Sequence, residues 1–388
     1  MASKLRFVIA HVFPPHIRRE ESEENLTELM NLIDTFGGAT VVKIIQRRAN
    51  PDTHTYIGSG KASELADIVR DEKIDVVVVN DIVKPGQLYN LQKMLWGINP
   101  RIQVWDRVDL IIGIFDEHAN TAEAKLQIRL ARMRHMGPRI YGMGMALSRQ
   151  GGGIGTRGLG ETNTELMKRH WRTEIKKVEE ELDRLATNRG KQLQRRRDLG
   201  FRTISIVGYT NAGKSTLFNT LTGKNKKSED ALFATLDSAV GKLFLPGSRT
   251  GVLVSDTIGF ISNLPTTLVQ AFQSTLMESV DADILIHVID ASDPRMYDKI
   301  TVVEKVLEDL GIRNKPTIHV FHKIDRLTRQ QMLALLKQYK PYAPQLASAK
   351  TGLGIPELIE RIESVVAEFA IHEERKGRPL SPIANRNV

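Results

Sequence analysis

The stretch Gly208-Tyr-Thr-Asn-Ala-Gly-Lys-Ser-Thr216 (GYTNAGKST) decides how the second half of this chain folds. Its first eight residues match G-x-x-x-x-G-K-[S/T], a loop that wraps phosphates between a strand and a helix. Ile204-Ser-Ile-Val207 leads in as a strand, and Ser215 to Leu221 leads out as a helix. Gly208 and Gly213 let the backbone turn its N–H groups toward phosphate oxygens. Lys214 reaches the outer phosphates as a point charge, and Ser215 offers its hydroxyl to Mg²⁺. The whole run is the candidate nucleotide loop: Gly208, Tyr209, Thr210, Asn211, Ala212, Gly213, Lys214, Ser215 and Thr216.

Further signals follow in order. Asp256-Thr-Ile-Gly259 ends a strand, where Asp256 would hold Mg²⁺ and the Gly259 N–H would meet the γ-phosphate. Between the two motifs, Ala234-Thr-Leu-Asp237 supplies Thr235, a candidate Mg²⁺ ligand in a loop ordered by that phosphate. His322-Lys-Ile-Asp325 follows the strand over Thr317 to Phe321. Asp325 can accept N1–H and N2–H of guanine, a pair that adenine does not present, and Lys323 lies along the base. Ser348-Ala-Lys350 precedes the final helix, and the Ala349 N–H can reach guanine O6. Five motifs in this order spell a GTPase with GTP as substrate and Mg²⁺ as cofactor. Lys214, Thr235, Gly259 and Asn211 are its candidate catalytic groups.

A second glycine run competes for the same reading. Gln150-Gly-Gly-Gly-Ile-Gly-Thr-Arg-Gly-Leu-Gly-Glu-Thr162 contains GxGxxG. A dinucleotide turn needs a strand before it and a helix packed directly behind, and here a helical pattern precedes. The run reads instead as the tip of a helical hairpin carrying Arg157. Its glycines permit close approach to a large partner, and the arginines around it favour phosphate contacts. Gly58-Ser-Gly-Lys61 lacks the four-residue gap of a phosphate loop and reads as a helix entry.

Residues 1–120 alternate strand and helix patterns, which argues for a small α/β domain with a parallel sheet. Residues 121–200 form a basic helical hairpin, with Arg129, Arg132, Arg134 and Arg139 before the glycines. After them Trp171, Ile175, Val178, Leu182 and Leu185 make a heptad seam that needs a partner helix. The preceding helix supplies one, so a monomer is expected. Residues 201–370 form the GTPase domain, Ras-like with a mostly parallel sheet, and 371–388 a flexible tail. The fold class is therefore α/β throughout.

Composition bounds the rest. The chain has 388 residues, 55 Lys and Arg against 46 Asp and Glu, and a formal net charge of +9, which suits a polyanionic partner such as RNA. With no cysteine it can hold neither disulfide nor thiolate metal site. No apolar run is long enough for a membrane span, and no export signal is seen, so a cytoplasmic location is expected.

On these motifs the chain resembles the HflX family of ribosome-associated, ribosome-splitting GTPases. The resemblance also covers Thr55-Tyr-Ile-Gly-Ser-Gly-Lys61, Asp106-Arg107 with Ile114-Phe115, Ala124-Lys-Leu-Gln127, the glycine run, and Asp256-Thr-Ile-Gly-Phe-Ile261 with Leu264-Pro265. It implies binding to the large ribosomal subunit near its peptidyl-transferase region, with GTP hydrolysis tied to dissociation or recycling. A low-turnover nucleotide-sensing ribosome-binding or biogenesis factor is the alternative. Three departures stand out. His322 replaces the asparagine that usually opens the guanine motif, Asn163 to His170 differs from the pattern after the glycines, and the C-terminal domain of some members has no counterpart. Phe260 stands where Ras-like proteins place a water-orienting glutamine. Asn211 stands where some cation-dependent GTPases ligate K⁺, so K⁺ beside the phosphates is a further candidate cofactor.

Overall fold

A computed structural model describes residues 4–150, 157–224, 233, 239–261, 268, 279–312 and 315–375. The chain divides into two compact units, with the boundary at Leu182 and Asp183.

The first unit is a parallel sheet clad by helices. Its strands are β1 (Arg6–Phe13), β2 (Ala39–Arg47), β3 (Val76–Val79) and β4 (Gln103–Asp106), in the order β2-β1-β3-β4, all pairs parallel. The continuous apolar run of β3 is buried at every position, as a strand covered on both faces requires. Between the strands lie α1 (Arg19–Thr35), α2 (Ser59–Asp71) and α3 (Pro85–Trp96). The stripe Leu26, Leu29, Leu32 and Ile33 of α1 is buried. On one sheet face Val8, Ala10 and Val12 pack with Leu65, Val69, Leu88 and Leu91 of α2 and α3. Among the aromatic residues of this unit, Phe7 meets Phe36 and Trp105 edge to face.

Helix α4 (Arg107–His118) was not expected from the sequence. Its Val108, Leu110, Ile111, Ile112, Ile114 and Phe115 are all buried, so the segment has little of the polar stripe that reveals a surface helix. Asp106 caps it, accepting from the Asp109 N–H while Asp109 accepts from the Asp106 N–H.

Helix α5 (Ala122–Gln150) and α6 (Arg157–Asp198) follow. Leu130, Met133 and Val178 form a buried cluster with Leu126, Trp171, Ile175 and Leu182 packed on it, and the Trp171 indole donates to the Met133 carbonyl at 2.8 Å. Only residues 151–156 join the helices, a reach of roughly 25 Å. A parallel pairing would have to retrace α5, roughly 40 Å at 1.5 Å per residue, so the pair is antiparallel. The expected seam is thus filled locally. The glycines 151–156 lie outside the described residues. Four arginines of α5 lie in ion pairs, those of Arg129 and Arg132 at the exposed surface. Arg129 pairs with Glu174, Arg132 with Asp116, Arg134 with Glu179, and Arg139 with Asp106 and Asp109.

The second unit holds a six-stranded sheet in the order β10-β9-β8-β5-β7-β6. The strands are β5 (Thr203–Gly208), β6 (Ala239–Leu245), β7 (Thr250–Asp256), β8 (Ile284–Asp290), β9 (Thr317–His322) and β10 (Gln345–Leu346). Only the β6–β7 pair is antiparallel. Helices α7 (Lys214–Thr222), α8 (Met296–Asp309), α9 (Arg329–Gln338) and α10 (Ile355–Arg375) accompany them. Central β5 pairs with β8 on one side and β7 on the other, so its carboxyl end opens at a crevice where ligands bind in sheets of this kind. Two corrections apply. The short strand β10 escaped a reading that needs several alternating residues. Helix α10 runs to Arg375, past the expected start of a loose tail at 371, and 376–388 lie outside the described residues. Among the described residues no helix is long and apolar enough to cross a membrane.

Truncating the seam tests the hairpin. Met133→Ala should cost about 2–5 kcal/mol in urea denaturation, while Glu181→Ala on the exposed side of α6 should stay within about 0.5 kcal/mol.

Candidate functional site

The loop after β5 turns its backbone inside out. Gly213 takes a left-handed conformation at φ 92°, and Asn211 does so at φ 59°. Turning N–H groups inward turns carbonyls outward, and each buried carbonyl needs a donor. Side chains supply donors to the buried Tyr209 and Ala212 and also to the exposed Asn211. Lys214 Nζ donates to the Tyr209 carbonyl at 2.8 Å, Lys323 Nζ to the Asn211 carbonyl at 2.6 Å, and His322 faces the Ala212 carbonyl at 3.1 Å. The outward backbone is thus paired before any ligand arrives. Lys214 is buried, and burial pushes its ammonium down to about 8 although Asp256 works the other way. Phosphate charge would restore it.

His322 joins two loops. Its Nε2 accepts from the Ala349 N–H at 3.1 Å, so in a neutral ring Nδ1 carries the proton and donates to Ala212. The ring lies so close to Gly213 that a Cβ there would sit 2.4 Å from Nδ1. Burial holds the imidazole below its usual range, which keeps it neutral. The guanine-motif asparagine is absent, yet the tie it makes to the phosphate loop is kept by a different ring.

The remaining residues expected to read the base gather beside it. Lys323 is left-handed at φ 62° and its ammonium lies 2.9 Å from Asp290 Oδ2. Ser348 Oγ donates to Asp325 Oδ1 at 2.6 Å, which holds that carboxyl below its usual range and aims it. Lys350 adds a favourable charge to Asp325. Sequence reasoning missed Asp290. Burial opposes its charge, but the hydrogen bonds from Lys323 and Ser292 outweigh it and hold the carboxyl low. Its position as the last residue of β8, on the same sheet edge as the loop, was the available signal.

On the other flank Asp256 is fully buried at the end of β7, opposite Ile206 of β5. Ser215 lies in the first turn of α7. A hydroxyl and a carboxylate are the hard oxygen donors that Mg²⁺ takes, and the charge of Asp256 is felt at Lys214, so the two fit the ion. Thr235, the third expected ligand, lies outside the described residues. Gly259 packs on the loop, where a Cβ would sit 2.8 Å from both Lys214 Nζ and Thr210 Cα. Phe260 is buried, and its backbone accepts from the Thr210 N–H at 2.7 Å and donates to the Gly208 carbonyl at 3.1 Å. Its ring offers no group that could orient water. Gly58 precedes α2 with its N–H on Gln46 Oε1 at 2.8 Å.

Comparison with known proteins agrees with this geometry. The family described as GTP-binding GTPase N-terminal matches residues 23–116, GTP-binding GTPase Middle Region matches 118–196, and 50S ribosome-binding GTPase matches 203–323. The GTPase HflX of Caldanaerobacter subterraneus subsp. tengcongensis is 44% identical over 347 residues, 89% of this chain and 78% of that protein. The GTPase HflX of Escherichia coli is 37% identical over 370 residues, 95% of this chain and 84% of that protein. The chain belongs to the HflX family of GTPases. HflX membership makes it a P-loop hydrolase acting on GTP. A crystal structure of SsGBP in complex with GDP shares the fold at a TM-score of 0.53 and 23% identity, covering 94% of this chain and 99% of that one.

The neutral histidines of this site set a pH dependence. A histidine whose folded pKa lies below its unfolded 6.5 stabilises the fold fully above 6.5, and that contribution is lost as pH falls toward the folded value. His322 is lowered, and burial pushes His287 of β8 down to about 3. The melting temperature of the nucleotide-free protein should fall from pH 7 to pH 5, and less steeply in His322→Asn.

Proposed function

We propose that this HflX-family GTPase binds GTP in the crevice at the end of β5 and couples its hydrolysis to binding of the large ribosomal subunit, acting in ribosome dissociation or recycling. The observation that carries the nucleotide part is the meeting of the phosphate loop with Asp325, Ser348 and Ala349 through His322. The loop from Gly208 to Thr216 cradles the phosphates with the N–H groups it does not spend on protein carbonyls, as Thr210 does on Phe260, and Lys214 leaves the Tyr209 carbonyl to meet the outer ones. Ser215, Asp256 and Thr235 would hold Mg²⁺, which neutralises phosphate charge when bound. The Gly259 N–H faces the γ-phosphate. Asp325 accepts from guanine N1–H and N2–H, Lys323 lies along the base, Ala349 donates to O6, and Lys350 backs Asp325.

Support for the ribosomal part comes from the likeness of residues 203–323 to a 50S ribosome-binding GTPase family and from the relatives named above. The net charge of +9 suits an RNA partner. Phosphate contacts would fall to Arg157, to the partly exposed Arg129 and Arg132, and to the exposed Lys191 and Arg195 near the end of α6. The protein acts as a monomer in the cytoplasm on this reading. Ribosome sedimentation in sucrose gradients tests it. Adding protein with GTP should raise free subunits, and Lys214→Ala should not. An unchanged subunit ratio with the unaltered protein would favour the second reading, a low-turnover nucleotide-sensing factor, which the buried apolar Phe260 supports.

Asn211 gives a finer expectation. If its side chain ligates K⁺ beside the phosphates, the ion supplies charge that Phe260 cannot. Turnover in KCl should then exceed that in NaCl severalfold, and equal rates would leave Asn211 with the loop-shaping role its left-handed backbone already shows.

A further inference from the structure

His322 commits both ring nitrogens to the protein. Nδ1–H serves the Ala212 carbonyl, and Nε2 accepts the Ala349 amide, each at 3.1 Å. The ring is 4% exposed and wedged against Gly213, so rotation offers it no other partners. The Ala349 amide is therefore not idle. The donor assigned to guanine O6 is held by an imidazole lone pair.

Guanine presents two acceptors along this edge, N7 and O6. When Ala349 turns to O6, Nε2 loses its donor. A neutral ring would then leave a buried lone pair facing base acceptors, an unsatisfied group in a dry corner. One added proton resolves this. Nε2–H then has an acceptor on the base, and Nδ1–H keeps Ala212. Adenine shares N7 but carries an amino donor where guanine has O6, so Ala349 finds no acceptor there, keeps its bond to Nε2, and the ring stays neutral.

We propose that His322 is a specificity-determining residue that takes up one proton from solvent as guanine nucleotide binds, so that its Nε2–H reads the base edge and Ala349 is released to O6. The inference rests on the guanine reading given above. No bond to carbon or phosphorus changes; the proton moves from buffer to Nε2 and returns on release. The charges around the ring are mixed. Lys323 opposes protonation, Asp325 on the same turn and Asp290 at the end of β8 favour it, and Lys350 faces Asp325 from the segment after β10. Burial keeps the ring neutral in the nucleotide-free protein, and the nucleotide's phosphates bring the negative charge that tips the balance.

Calorimetric titration of the full chain with Mg²⁺-GDP at pH 7, in two buffers of different ionisation enthalpy, counts the protons. The unaltered protein should take up a sizeable fraction of a proton more than His322→Asn, whose amide donates without titrating. Its GDP affinity, relative to the variant, should rise severalfold from pH 8 to pH 6, and Mg²⁺-ADP should show no uptake. Equal proton counts in the two proteins would overturn the proposal while leaving the guanine site standing. Failure of the unaltered protein to bind GDP would remove the guanine reading itself. Should His322→Asn not fold, nitrogen-15 histidine spectra of the unaltered protein decide the matter. His322 should pass from a neutral Nδ1–H ring to a doubly protonated one on adding GDP, and a ring still neutral overturns the idea.

Discussion

A phosphate loop can present its N–H groups inward only if the carbonyls it turns outward find donors of their own. That backbone accounting organises the second unit. Tyr209, Asn211 and Ala212 give their carbonyls to Lys214, Lys323 and His322. Each donor comes from a different constraint. Lys214 belongs to the loop and, on the proposed reading, leaves it for phosphate. Lys323 reaches in from the turn after β9 and is steadied by Asp290. His322 sits at the end of β9 itself, fixed by strand pairing to Asp290 of β8. The strand order β9-β8-β5 brings these ends to one edge, so the sheet topology delivers the donors to the loop.

The same accounting explains why a histidine can stand where an asparagine is usual. A carboxamide offers a donor and an acceptor on one short arm, and so does a neutral imidazole with its proton on Nδ1. The ring is bulkier and demands room, which Gly213 provides by having no Cβ. What the exchange alters is titration. An amide keeps its donor at every pH, whereas an imidazole keeps one nitrogen as donor and lets solvent decide the other.

Much of this was legible in the sequence, and the reasons differ by residue. GYTNAGKST spans nine residues in one fixed strand-to-helix context, so its place was set by local spacing. Asp256, Asp325 and Ser348 lie in short motifs whose order along the chain gave them the roles proposed above. Asp290 was only weakly legible: its place at a strand end marks it, but only the pairing of β8 with β9 carries it to Lys323. Helix α4 was hidden by its own burial, since a segment apolar on nearly every face shows no period. The ion pairs of α5 were hidden for the opposite reason. Its arginines stand out in the chain, but their acidic partners Glu174 and Glu179 lie far along it, across the hairpin.

The first unit shows how a group of ligand-bearing side chains can be complete without an ion. Asp106, Asp109 and His135 bring their ligand atoms together as a metal site would. Arg139 decides the matter, bonding both carboxylates at 2.8 and 2.5 Å while His135 lies 3.1 Å from Asp106. Burial works against the charge of His135, but hydrogen bonds to Asp106 and Asp109 and their negative charge outweigh it and push it up to about 9. Two carboxylates then face two cations at neutral pH, and a divalent ion would have to evict both. The carboxylates also cap α4, so the cluster ties the start of that helix to α5. This cluster of the first unit is spent on holding two helices together.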